Sequence, residues 1–158
     1  MKVWRIGRAR HAPTGSAAFG GEGGLSFDGR WHSRGKPIVY TASTESLAKL
    51  EALVHYQPIL GASLVVIEAT LPDDLVAALA TALPAGWDAV PDTGAARPIG
   101  DAWLTSASSL ALEVPSLHSA AEKNVLINPG HPDFSQIRIG PPKPFSFDPR
   151  LLDPRLRR

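Results

Sequence analysis

The sequence predicts an α+β fold, in which mixed, mostly antiparallel short strands combine with a few helices. Short runs rich in β-branched and aromatic residues, a composition typical of strands, recur along the chain at uneven intervals. The helical patterns interrupt these runs irregularly, so the strand–helix alternation of a doubly wound parallel sheet is missing. With 158 residues, of which 44% are hydrophobic, the chain has the size and apolar content of one core. We therefore expect a single domain over residues 1–158, with a proline-rich C-terminal tail over 141–158.

The N-terminal part of the pattern predicts two strands, a long loop and a helix. Residues 2–6 and the PIVYT segment at 37–41 have the composition of short strands. Between them, the glycine-rich stretch 15–35 disfavours regular structure, and its second half, FDGRWHSRG, is typical of a binding loop. Ser43 is suited to cap a helix that we expect to run to about Tyr56.

The C-terminal part predicts a buried strand, a second helix and several shorter elements. The SLVVIEAT segment at 63–70 is the strand, and Pro72 with Asp73 or Asp74 opens a helix through LVAALATAL that stops at Pro84. The remaining predicted elements are a mostly looped segment at 87–98, a short helix around GDAWLTSA, and strands in LALEVPS, NVLIN and QIRIG. The tail from Pro141 is expected to wrap the surface or fray.

Charge and cysteine content narrow the classes of function. The 16 lysine and arginine residues are nearly balanced by 15 acidic residues, so the positive charge typical of a nucleic-acid binder is missing. The chain has no cysteine, which excludes disulfides, thiolate zinc sites and cysteine nucleophiles. The N-terminus lacks a signal-peptide core, and the longest aliphatic run, Leu64–Ile67, is far below the roughly 20 residues of a membrane helix. We expect a soluble, cytoplasmic protein.

Glu51 interrupts an apolar face of the first predicted helix. At about 100° per residue, Leu47, Leu50 and Val54 share one stripe, and Glu51 falls inside it. A carboxylate facing a core or a cleft needs a cationic or hydroxyl partner, or a substrate, because burial removes the water that solvates its charge. Two interpretations stay open: a glutamate paired with an arginine at the helix rim, and a functional carboxylate.

Five further positions carry residue types that suit a binding site. In the DGRW sequence, Arg30 and Trp31 place a guanidinium beside an aromatic face, which suits a diphosphate or forms a surface cation–π pair. Tyr40 ends a strand, where its ring either stacks on a ligand or packs into the core. Ser116 also ends a strand, where serine is more often a cap than a nucleophile, and no GxSxG sequence surrounds it. Asn128 begins the NPGHPD sequence, which predicts a rigid turn.

The histidines do not predict a metal site. His55, His118 and His131 lack an HExxH motif or a paired short spacing. The phosphate-binding motifs GxxxxGK[ST] and GxGxxG after a strand are also missing. Catalysis by a carboxylate and an arginine is the chemistry that the residues alone leave open.

An ordered set of motifs resembles the RES domain family, which is named for an arginine, a glutamate and a serine. The set consists of WRI, GRW followed by G-x-P-x-x-Y-T, SLAKLEALVH, IGDAWL, VPS and NVLINPGHPDF, and it covers most of the chain. By position, the three named residues are Arg30, Glu51 and Ser116. Tyr40 matches a site tyrosine, and Arg5 matches a second arginine that points toward the same cleft.

The resemblance implies a bacterial toxin of a toxin–antitoxin pair, with a fold like that of ADP-ribosyltransferase toxins and an Xre-like protein as antitoxin. It also implies that NAD is the substrate and that ADP-ribose passes to a protein, phosphate or water; from the histidine spacing and the lack of cysteine, we expect no metal to take part. Glu51 would stabilise the oxocarbenium-like transition state, and Ser116 would position Glu51 or the ribose. Arg30, helped by Arg5, would hold the diphosphate or ribose, and Tyr40 would pack against nicotinamide.

The residues that would contact NAD under this resemblance are Arg5, Arg30, Trp31, Tyr40 and Asn128. His32 stands where the family commonly has asparagine, which leaves the loop contacts open. Two other functions remain as alternatives to an NAD-cleaving toxin. One is a catalytically weak module that binds a nucleotide or peptide, and the other is a histidine-dependent ribonuclease toxin, which the balanced charge disfavours.

Overall fold

The structure is a computed structural model that describes residues 1–55 and 63–152. The expected helix end near Tyr56 and the last residues of the tail lie outside this part of the chain. Eight strands are described: β1 (Lys2–Arg8), β2 (Val39–Ala42), β3 (Leu64–Thr70), β4 (Val76–Ala78), β5 (Ala111–Pro115), β6 (Lys123–Ile127), β7 (Arg138–Ile139) and β8 (Lys143–Phe145). The α-helices among these residues are α1 (Gly15–Ala18), α2 (Gly23–Ser26), α3 (Glu45–His55), α4 (Arg97–Ser106) and α5 (Pro149–Leu152).

The strands form one mixed sheet in the order β4-β5-β6-β2-β1-β3-β7, with β8 also paired to β3. Among the described pairs, β4 and β5 run parallel and the others antiparallel. The long pairing of β1 with β3 follows from their β-branched residues, which fit a pleated surface. In the centre, β1 and β2 share one registered pair, Trp4 with Ala42. The prediction of an α+β fold with mostly antiparallel short strands is confirmed.

Alternation along the strands sends apolar side chains to both faces of the sheet. On one face Val3, Val39, Ile67 and Val125 form a core that Phe19 covers from the loop after α1. On the other face, two separate clusters pack against the sheet. One lies under α3, where Leu47, Ala48 and Ala52 are buried against Ala42 and Ile6. The other contains Trp31, Trp103, Leu112, Val114 and Leu126.

The prediction of a helix after Pro72 is wrong. The chain instead forms a 3₁₀ turn at Asp73–Leu75 and then the short strand β4, which pairs in parallel with β5. Alanine and leucine favour a helix only weakly, and pairing with a neighbouring strand overrides that preference. From Leu79 the chain continues without a strand or α-helix until α4 begins at Arg97, three residues before the predicted GDAWLTSA segment.

Three further expectations need correction. The glycine-rich stretch 15–35 contains two single-turn helices, α1 and α2, and the first has Thr14 as its N-cap. Helix α3 is capped by Thr44, whose Oγ1 accepts a hydrogen bond from the Leu47 amide at 3.1 Å, and not by Ser43. The tail does not simply fray, because β8 adds to the sheet and Phe147 is buried.

Candidate active site

Glu51 lies on the buried side of α3, although the prediction of which apolar residues share that side is wrong. The helix buries Leu47, Ala48 and Ala52, while Leu50 and Val54 are 39% and 49% exposed. Around the helix axis Glu51 falls between Leu47 and Ala48, so it still faces the protein. The small Ala48 and Ala52 let the helix approach the sheet closely. The Glu51 side chain is 21% exposed, which leaves one side of the carboxylate open to solvent.

The two oxygens of Glu51 have different partners. Oε1 accepts hydrogen bonds from Ser116 Oγ at 3.0 Å and from Asn124 Nδ2 at 2.7 Å. Oε2 lies 3.6 Å from His55 Nε2 and 3.5 Å from His118 Nε2. Burial alone would raise the pKa of Glu51, but hydrogen bonds from His55, Asn124 and Ser116 outweigh it and lower the pKa. The carboxylate is therefore held ionised at neutral pH, with its position fixed through Oε1.

The sheet register explains why these partners meet Glu51. Asn124 on β6 lies between Ala42 on β2 and Val114 on β5 in one row across the sheet. Ala42 packs under α3, and Val114 belongs to the cluster around Trp31, so Asn124 marks the boundary between the two clusters. Ser116 follows the end of β5, and its Oγ also accepts the His118 amide at 3.0 Å. This turn orients Ser116 toward the helix.

Tyr40 fastens the DGRW loop to the sheet through a chain of hydrogen bonds. Its hydroxyl accepts the Trp31 amide at 3.2 Å and lies 2.8 Å from His32 Nδ1. His32 Nε2 lies 3.1 Å from the Phe27 carbonyl oxygen, which can only accept, so Nε2 carries the proton and Nδ1 accepts from Tyr40. Burial lowers the pKa of His32 and raises that of Tyr40, which agrees with two neutral side chains.

Arg30 is directed at a neighbouring loop. Its guanidinium donates to the carbonyl oxygens of Trp87 and, at 3.1 Å, Ala89, and its Nη1 lies 3.5 Å from Asp92. Asp92 also pairs with Arg97 at 2.9 Å. Among the residues that the structure describes, these contacts tie Arg30 to segment 87–92, and none of them joins it to Glu51. A diphosphate would have to share or displace these partners.

The other predicted NAD contacts have their own partners in this structure. Arg5 Nη1 donates to the Tyr40 carbonyl oxygen at 2.9 Å. Trp31 is 2% exposed, and its ring centroid lies 6.1 Å from that of Trp87, so its ring belongs to the core. Asn128 is 4% exposed; its Nδ2 donates to the Leu104 carbonyl, and its Oδ1 accepts the Gly130 amide. The contact with Gly130 belongs to the turn that the sequence predicts, and the contact with Leu104 joins this turn to α4.

The structure brings Glu51 and Ser116 into direct contact and adds three neighbours that the sequence analysis did not assign to the site. Asn124 carries no distinguishing sequence signal, because only the register of β6 with β2 places it below α3. His118 follows Ser116 by two residues and reaches Glu51 through the turn. His55 did have a signal, because residues four apart on a helix share a face.

In chemical terms, the site presents an anion that is fixed through Oε1. Such a carboxylate can stabilise positive charge that develops on a bound sugar, or accept a hydrogen bond from a hydroxyl. His55 and His118 border the other oxygen, Oε2. No described helix has both the length and the apolar composition that crossing a lipid bilayer requires.

The mixed sheet, with a half-buried glutamate on the helix packed against it, defines an α+β protein with a candidate active site at Glu51. The chain belongs to the RES domain family, whose profile matches residues 2–148. This confirms the resemblance inferred from the ordered motifs.

Curated relatives and a solved structure agree with this assignment. The chain is 37% identical over 155 residues to the "Prs ADP-ribosylating toxin" of Sphingobium sp., covering 94% of this chain and 95% of that protein. It is 35% identical over 155 residues to the "Toxin Res" of Pseudomonas putida, covering 96% and 100%. The Mycobacterium tuberculosis MbcT–MbcA toxin–antitoxin complex contains a chain that superposes with a TM-score of 0.72 at 19% identity, covering 96% of this chain and 86% of that one. The last likeness shows a shared fold.

Proposed function

We propose that this protein is a toxin that cleaves NAD at the nicotinamide glycosidic bond and passes ADP-ribose to an acceptor. The observation that carries the proposal is the Glu51 carboxylate, ionised and held through Oε1 by Ser116 and Asn124, while Oε2 lies beside His55 and His118. Breaking the bond to nicotinamide places positive charge on the ribose, and a fixed anion beside the ring stabilises that charge. The name of the Sphingobium relative supports the same activity.

The remaining site residues take positioning roles in this proposal. Ser116 holds Glu51 in place, and Tyr40 holds the DGRW loop while its ring packs against the nicotinamide. Arg30 and Arg5 bind the diphosphate or the ribose. Arg30 would do so by exchanging its contacts with the Trp87 and Ala89 carbonyl oxygens for contacts with the anion. No metal is needed for these steps, because Glu51 supplies the charge.

The acceptor is proposed to be a cellular protein or phosphate, with water as the competing outcome. The FDGRWHSRG loop and the arginines near it suit an anion or a docked protein surface. We expect purified protein to release nicotinamide from labelled NAD, faster with added phosphate or with label appearing on a protein band in a bacterial lysate. Equal amounts of free ADP-ribose in buffer, phosphate and lysate, with no labelled protein, would leave water as the acceptor. No nicotinamide in any reaction would support a nucleotide- or peptide-binding module instead.

An Xre-like antitoxin is the proposed partner. We expect it to cover the open side of Glu51 with a charged or aromatic segment, because such anchors dominate binding to concave sites. Co-expression with the product of the adjacent gene should give a stable complex, and nicotinamide release by that complex should fall to background. The variant Glu51→Gln is co-expressed in the same way. Because this variant is expected to be inactive, a complex that contains it shows antitoxin binding independently of toxicity. A complex as active as the free enzyme would contradict this mode of inhibition.

A further inference from the structure

Three side chains of the kinds that bind transition metals meet at the open oxygen of Glu51. The ligand atoms of Glu51, His55 and His118 all lie within 4.8 Å of one another. Glu51 Oε2 is 3.6 Å from His55 Nε2 and 3.5 Å from His118 Nε2. No sequence pattern joins His118 to the other two residues, because it lies on a separate segment that only the fold brings to α3.

The spacing fits a four-coordinate zinc ion. Bonds of about 2.0–2.2 Å to nitrogen and oxygen place the ligand atoms of a tetrahedral site roughly 3.3 Å apart. The two distances from Glu51 Oε2 are within a few tenths of an ångström of that value. His55 is 71% exposed, so its ring can turn to close the remaining gap to His118 without disturbing the core.

The carboxylate is already oriented for such an ion. Ser116 and Asn124 hold Oε1, so Oε2 faces the two imidazoles, where a bound ion would replace the present contact with His55. Hydrogen bonds to the second oxygen of a carboxylate ligand are the usual way in which proteins orient it toward a metal. His55 follows Glu51 by four residues on α3, so the two side chains share one face of the helix.

We propose that Glu51, His55 and His118 form a binding site for a zinc-class divalent cation, and that the bound ion inhibits the enzyme. Two histidines and one glutamate form a known three-residue zinc set that leaves a fourth position open, and imidazole ligands favour zinc over magnesium or calcium. Inhibition rests on the proposed function, because the ion occupies the oxygen that would face the ribose. Zinc binding itself does not rest on it.

The binding test uses metal-free, full-length protein titrated with Zn²⁺ alone by calorimetry, without NAD. We expect one ion per chain. His55→Ala and His118→Ala should each weaken binding by at least the roughly 10–100-fold that loss of a supporting residue costs a metal site. His11→Ala is the matched control, because His11 is exposed and lies outside the cluster, and it should bind like the wild type. The proposed site would be wrong if the wild type shows no detectable binding with zinc on the order of 100 micromolar. It would also be wrong if both cluster variants bind zinc as tightly as the wild type.

The inhibition test measures nicotinamide release with and without zinc, each variant being compared with its own zinc-free rate. Zinc should stop the wild type at the concentrations that saturate the titration, and a chelator should restore the rate. His55→Ala should lose this sensitivity, while His11→Ala should keep it. Equal inhibition of wild type and His55→Ala would refute the inhibitory role. A wild type that releases no nicotinamide would instead refute the proposed function, and the binding titration would still decide the site.

Discussion

Replacing Glu51 by glutamine should reduce nicotinamide release by at least about 100-fold, the scale on which loss of one preorganised electrostatic group acts. Glutamine keeps the volume of the side chain and an oxygen that can accept from Ser116 and Asn124. It removes the negative charge, which is the property that stabilises the developing ribose cation. The measurement is steady-state nicotinamide release by purified protein, together with the melting temperature of the variant.

Glu45→Gln is the matched control for this experiment. It makes the same chemical change on the same helix, but Glu45 pairs with Lys49 on the outer side of α3. We expect it to retain the wild-type rate, because a surface ion pair contributes little to stability and lies away from the site. Near-normal turnover by Glu51→Gln would show that the reacting centre lies elsewhere.

Replacing Gly100 by alanine should destabilise the protein by at least about 3 kcal/mol, the upper part of the range for overpacking. A Cβ at this position would lie 1.7 Å from the carbonyl oxygen of Trp31 and 2.8 Å from its carbonyl carbon. Both are backbone atoms, so no side-chain rotation relieves the clash. Helix α4 and the DGRW loop would have to separate, and the Trp31 amide would move away from Tyr40. Thermal unfolding should show a melting temperature lower by about 6–12 °C.

Gly23→Ala serves as the comparison for this substitution. Gly23 lies in α2 with no atom within 4 Å of the added Cβ, and its φ is not in the left-handed region. The alanine should change stability by less than about 1 kcal/mol, in the stabilising direction, because it restricts the unfolded chain. If Gly100→Ala melts within 2 °C of the wild type, α4 does not approach the loop as closely as the structure shows.

Local composition predicted the strands well and the helix faces less well. The β-branched run that becomes β3 needs no distant information, because its own residues favour a strand. By contrast, the apolar stripe of α3 was misassigned because Leu50 and Val54 are more hydrophobic than Ala48 and Ala52. The protein buries the alanines, since their small size brings the helix close to the sheet. Hydrophobicity alone does not predict that the smaller side chains are the ones that face the sheet.

The surroundings of Glu51 depended on information that a single sequence does not carry. The position of Asn124 beneath α3 follows from the pairing of β6 with β2, and a slip of one residue would turn its side chain to the opposite face. The contacts of Arg30 depend on segment 87–92, which has no pattern of its own. The segment predicted as a helix after Pro72 became β4 for the same reason, because its partner β5 lies more than thirty residues further along the chain.

Because β1 and β2 share a single registered pair, the sheet consists of two sets of strands, here called plates, that join at a narrow seam: β4-β5-β6-β2 and β1-β3-β7. Arg5 crosses this seam to the Tyr40 carbonyl, and α3 rests on both plates. Glu51 is carried by the helix, whereas Ser116 and Asn124 belong to the plate that contains β5 and β6. A small rotation of one plate against the other therefore alters the distance between the carboxylate and the groups that hold it. The alignment of Glu51 with Ser116 and Asn124 thus depends on how β1 and β2 meet, and not only on the helix that carries Glu51.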